Sequence, residues 1–137
     1  MKIIFKPGDQ KQYNKMVETD DTAGFASGLV HPVYSTFSIA RDAEWSGRLF
    51  VLELREDDEE GIGTFISVHH HAPAFPGELI IFTATLTAIR RHEIFTSFEA
   101  WSGNRLIASG EQGQKLFKRD KLKQLFTLAK DRNDDHE

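Results

Sequence analysis

From Thr36 to Leu54 the apolar and small positions fall at Ile39, Ala40, Ala43, Gly47, Phe50, Val51 and Leu54, the three-four spacing of one helix face. This predicts one long helix, with Ser35 or Thr36 as its N-cap. A break is allowed near Ser46-Gly47, where glycine costs about 1 kcal/mol relative to alanine. A glycine on the buried stripe also lets a sheet approach closely. After Gly61 the texture changes to period two. Gly63–His71, Glu78–Ile89, Glu93–Trp101 and Arg105–Phe117 are rich in Ile, Phe, Thr and Val and read as four strands. Pro73, Pro76 and Gly77 separate the first two, and Ser102-Gly103-Asn104 closes the last two into a hairpin. Helical spacing returns in Asp120–Lys130 with Leu122, Leu125, Phe126 and Ala129, and the tail Asp131–Glu137 is expected to be loose.

Ahead of the long helix, Lys2–Lys6 reads as a short strand closed by Pro7-Gly8, and Asp9–Pro32 as irregular structure holding at most one short element. The run Glu56-Asp57-Asp58-Glu59-Glu60 opposes the negative end of the helix dipole and is expected to be a solvated loop. It lacks the spaced oxygen ligands and turn glycine of a calcium loop. A strand, a loop, a long helix and four antiparallel strands make an α+β layer in which one sheet covers one apolar helix face. At 137 residues the chain is expected to form a single domain, 1–137.

Composition narrows the chemistry. With no cysteine there is no disulfide, no thiolate nucleophile and no Cys-ligated metal. Seventeen Lys+Arg against 21 Asp+Glu give a net charge of −4, which offers no general attraction for nucleic acid. The opening MKIIFKPGDQ is too short in apolar residues for a secretory leader, and no stretch has the roughly 18 apolar residues of a membrane span. A soluble, cytoplasmic protein is expected.

The densest chemical signal is His69-His70-His71 at a strand end. In extended chain His69 and His71 share one face and His70 takes the other. A metal would need a third ligand, and His31, His92 and His136 form no motif that supplies one, so no metal is expected. Glu44 sits near the apolar stripe of the helix, where it either pairs with Arg41 or Arg48 on its own helix or meets an imidazole. Thr36 at the helix start is either an N-cap or a hydroxyl beside free N–H donors. Gly63 is either a bulge or a point where backbone N–H approaches a substrate carbonyl.

Taken together, Thr36, Glu44, Gly63-Thr64, the segment Val68 to Gly77 containing His70, and later strands with Phe98-Glu99-Ala100 and Gly110 resemble the fluoroacetyl-CoA thioesterase family of hotdog-fold proteins. The resemblance covers about residues 30–117 and departs in the turn, where Ala74-Phe75 stands for the usual Thr-Pro. It implies a central helix wrapped by an antiparallel sheet, a homodimer with sites at the subunit interface, and hydrolysis of an acyl-CoA thioester. CoA would be part of the substrate, with no separate cofactor. His70 would be general base, oriented by Glu44, toward water or toward Thr36 as nucleophile, with backbone N–H near Gly63 stabilising the oxyanion. Eight helical residues rise about 12 Å, so either Thr36 lies on a bent-back entry loop or a second subunit completes the site. Lys115, Lys118, Arg119, Lys121 and Lys123 are candidates for the CoA phosphates, against the alternative of a solvated helix face. The competing function is a hotdog module that binds acyl-CoA or a small apolar acid without turnover. A hydratase lacks support, because no Asn-Pro-x-x-His segment is present.

Overall fold

The structure, a computed structural model, describes residues 1–25 and 28–135. Its centre is α1 (Thr36–Leu54), which buries Ile39, Ala43, Gly47, Phe50, Val51 and Leu54. The helix runs unbroken through Ser46-Gly47. Five antiparallel strands cover its apolar face in the order β1-β5-β6-β7-β4: β1 (Gln10–Met16), β4 (Glu59–His70), β5 (Leu79–Arg90), β6 (Glu93–Ser102) and β7 (Arg105–Lys118). A separate hairpin of β2 (Thr22–Phe25) and β3 (Gly28–Tyr34) leads into the helix, and α2 (Arg119–Asp135) follows β7. No described helix is long and apolar enough to cross a membrane.

The four expected strands and the long helix are present, with β4 starting earlier than expected. The amino-terminal third is different. Lys2–Lys6 forms no strand: Ile3 is 93% exposed, and the segment is tied down by Lys2 N–H donating to the Leu54 carbonyl and by Phe5 meeting Phe50 edge-on at 5.1 Å. The first strand lies instead in Gln10–Met16, inside the stretch expected to be irregular. That sequence hides its pattern because the inward positions are Lys11, Tyr13 and Lys15, whose stems pack while their heads find Glu53 and Asp21. Polar residues of this kind are common on edge strands. The rest of that stretch supplies β2 and β3, with 26–27 outside the described residues. The acidic run also departs from expectation. Glu59 opens β4 and is only 3% exposed, held by the amino-terminal ammonium at 2.7 Å, while Glu60 pairs with Arg48 and Arg55. The tail expected to be loose is helical through Asp135, and 136–137 lie outside the described residues.

Two contacts set the height of the helix on the sheet. Gln112 Nε2 donates to the Ala43 carbonyl at 2.6 Å, and Gln114 Nε2 donates to the Glu44 carbonyl at 3.2 Å. The approach depends on Gly47, where an added Cβ would overlap the Gln112 amide and crowd Thr96 Oγ1. Gly47→Ala therefore has to push the buried Gln112 off its acceptor. We expect a loss of about 1–3 kcal/mol in folding stability, measured as a lower urea midpoint at unchanged m-value.

Candidate active site

The entry to α1 decides what Thr36 can do. Ser35 is the N-cap, its Oγ accepting from Ser38 N–H at 3.0 Å. Thr36 is the first helical residue, so it is not on a bent-back loop, and its hydroxyl is released from capping. Thr36 Oγ1 lies 3.1 Å from His70 Nδ1, near the carboxyl end of β4. The alternation expected along His69-His70-His71 is present. His70 faces the helix, whereas His69 and His71 stack at 6.5 Å on the other face, where His71 Nε2 contacts Ser109 Oγ at 2.7 Å. No group of three or more side chains suited to a metal ion occurs among the described residues.

Glu44 meets Gly63, not His70. A Cβ on Gly63 would overlap Glu44 Oε1, so the missing side chain is what lets the carboxylate lie on the strand. Neither helix neighbour takes it: Arg41 bonds Asp21 and Asp42, and Arg48 bonds Glu60 and the Gly61 carbonyl. Two pairs result within one chain, Thr36 with His70 and Glu44 with Gly63. They stand about 12 Å apart along the helix and seven positions, about 23 Å, along β4. β4 is an edge strand, bonded only to β7, and Phe65 and Ile66 are 45% and 38% exposed on it. Alternate N–H groups of such an edge lack a ladder partner.

A cleft of about 730 Å³ opens beside Thr36, lined by His31, Phe37 and Arg41 among others. Phe37, at the mouth of this cleft, is 80% exposed. In the sequence it is a bulky apolar residue standing off the buried stripe of the helix.

An ionic network holds this helix start in place. Arg41 donates to Asp21 at 2.8 Å and to Asp42 at 3.1 Å, Lys15 pairs with Asp21 at 3.2 Å, and the buried Tyr34 hydroxyl donates to Asp42. Burial alone would raise the Asp21 carboxyl, but hydrogen bonds from Arg41, the Glu18 backbone N–H and Lys15 outweigh it and hold the group below its ordinary value. Burial, with the Asp42 hydrogen bond, pushes the Tyr34 phenol far up. It stays neutral and donating.

A model of the fluoroacetyl-CoA-specific thioesterase family, FlK, matches residues 17–120, a span that begins ahead of the residues carrying the resemblance in the sequence. No curated protein sequence matches significantly. Among solved structures, a Thermus thermophilus hypothetical protein described as a thioesterase superfamily member is 29% identical. The alignment covers 94% of this chain and 96% of that one at TM-score 0.89. A variant of the thioesterase FlK in complex with fluoroacetate and CoA is 22% identical over 86% of this chain and 99% of that one, TM-score 0.78. A hot-dog-like protein from Thermanaerovibrio acidaminovorans is 20% identical over 91% and 93%, TM-score 0.83.

Because the Asp21 carboxyl is depressed in the folded state, its stabilisation is present above the unfolded value near 3.8 and is lost as pH falls through the folded value. Asp21→Asn is expected to cost about 1–2 kcal/mol at pH 7, and the gap from the parent protein should shrink in urea titrations at pH 3. With the wrapped helix, the antiparallel sheet and the family match over residues 17–120 in agreement, the chain belongs to the fluoroacetyl-CoA-specific thioesterase family and is a hotdog-fold thioesterase.

Proposed function

We propose that the protein hydrolyses acyl-CoA thioesters to free acid and CoA, as a homodimer whose sites are each built from two subunits. The observation that carries the two-subunit reading is the separation of the Thr36–His70 pair from the Glu44–Gly63 pair on one chain. Antiparallel pairing of two β4 edges about a two-fold axis near Ile66-Ser67 would set Gly63 of one subunit opposite His70 of the partner subunit. Each half-site then faces the other half, and the exposed Phe65 and Ile66 are covered.

In this arrangement His70 Nδ1 takes a proton from Thr36 Oγ1, or from a water that Thr36 holds in place. The oxygen so activated forms its bond to the thioester carbonyl carbon. Backbone N–H at the Gly63–Phe65 irregularity of the facing subunit, where the regular ladder is interrupted, stabilises the oxyanion. Collapse breaks the carbon–sulfur bond, and the CoA thiolate leaves with the proton that His70 carried. Glu44 of the facing subunit steadies the imidazolium between the two transfers. If Thr36 is the nucleophile, water repeats the sequence on the acyl-enzyme. CoA enters only as part of the substrate.

His70→Ala and Glu44→Ala are each expected to lower thiol release from short acyl-CoAs by about 100-fold or more. Mixing the two inactive proteins under exchange conditions tests the geometry. A site spanning two subunits regains one intact copy in each mixed dimer, so about a quarter of parental activity should return. A site within one chain regains none. Should parental protein release no thiol while acyl-CoA raises its melting temperature, binding without turnover is the function.

A further inference from the structure

One cavity concentrates charge against the sign of the whole chain. It opens at the end of the sheet away from His70, where the β5–β6 hairpin tip, the last residues of β7 and the first turn of α2 meet, and its volume is about 580 Å³. Arg90, Arg91, Lys115, Lys118 and Lys121 line it, against two carboxylates, in a chain whose net charge is −4. Both carboxylates are engaged: Glu59 with the amino terminus, and Glu93 as acceptor from Thr64 Oγ1 at 2.8 Å. Lys118 is held by Asp58 at 3.0 Å. Arg90, Arg91, Lys115 and Lys121 form no ion pair among the described residues.

Local geometry adds to the charge. Arg91 sits at the hairpin tip with φ of 58°, in the left-handed region that glycine or asparagine usually fills in two-residue turns. Side-chain-bearing residues kept in that region gather at functional sites. Phe117 lies on the cavity wall with Lys115 over its ring at 5.3 Å, so a flat ring and positive charge share one wall. A purine bearing phosphates asks for that combination.

We propose that this cavity binds the adenosine 3′,5′-bisphosphate end of CoA. The inference rests on the thioesterase reading above and adds to it where the nucleotide is held. Glu59 on the cavity wall is four positions from Gly63 along β4, about 13 Å, a distance an extended pantetheine arm covers. His70 of the same chain is eleven positions away, about 36 Å. A nucleotide anchored here delivers its thioester to the Glu44–Gly63 pair of its own subunit, where His70 of the partner subunit would meet it.

The test titrates adenosine 3′,5′-bisphosphate and AMP into the protein by calorimetry. The bisphosphate should bind, AMP should bind about tenfold more weakly, and the variant R91S/K115Q/K121Q should lose at least tenfold in bisphosphate affinity. In parallel, kcat/KM is compared for acetyl-CoA, acetyl-dephospho-CoA and acetyl-N-acetylcysteamine. The preference for acetyl-CoA over the truncated thioesters should collapse in the variant through KM. No bisphosphate binding by the parental protein, or binding that the triple variant retains, overturns the inference. So does a preference for an acyl carrier protein thioester that the triple variant loses while bisphosphate fails to bind, since the cations would then serve a protein partner. Absence of thiol release from any thioester defeats the thioesterase reading instead, and the calorimetry still decides the cavity.

Discussion

The position of the helix on the sheet depends on how closely α1 can approach β7. Gln112 reaches across to the Ala43 carbonyl, and the space it needs exists because Gly47 has no side chain. A buried amide with a backbone acceptor is directional in a way that apolar packing is not. The helix can neither slide nor rotate on its greasy face without leaving that amide unpaired. Gln114, bonded to both Gln112 and the Glu44 carbonyl, carries the same constraint one step further along. Through these bonds the Glu44 turn is held above Gly63, and the first turn of the helix is brought to the level of His70.

The start of the helix is fixed by charge. Asp21, Arg41, Asp42 and Tyr34 join the loop before β2, the end of β3 and the opening of α1 into one network, and the two acids are almost wholly buried. Removing one partner from such a set strands the others. The network works beside the Ser35 cap, not in place of it. Since the cap falls to Ser35, the Thr36 hydroxyl is free of capping and lies against His70 Nδ1.

How much of this could be read from the residues varies along the chain. The helix bounds follow from a stripe of apolar positions long enough to exclude other periods, and β5, β6 and β7 follow from alternation with clear turns. β1 was hidden because an edge strand can turn lysine and tyrosine inward and keep polar residues on both faces. β2 and β3 were hidden because they are short and their register shifts between Thr22 and Gly24. Glu59 looked solvated because its partner, the amino terminus, is 58 positions away in sequence. At the site, Thr36 and His70 were suggested by joint spacing within a family pattern; periodicity alone favoured an N-cap. The contact of Glu44 with Gly63 depends on the docking height of the helix, which no local pattern encodes. The lysines near the carboxyl end were visible in the sequence, whereas Arg90 and Arg91 join Lys115 only because β6 folds back between them.

The two margins of the sheet are unlike in what they present to a neighbouring strand. β1 carries Lys11 and Lys15, already engaged with acids of their own chain, and an added strand would have to run beside their charge. β4 offers Phe65 and Ile66, with a bulge at Thr64 that restricts the registers a neighbour can adopt. One margin of the sheet is open to a neighbouring strand and the other resists one. Fibrous growth, the standing hazard of exposed strands, needs two open margins on each molecule, and this sheet has one.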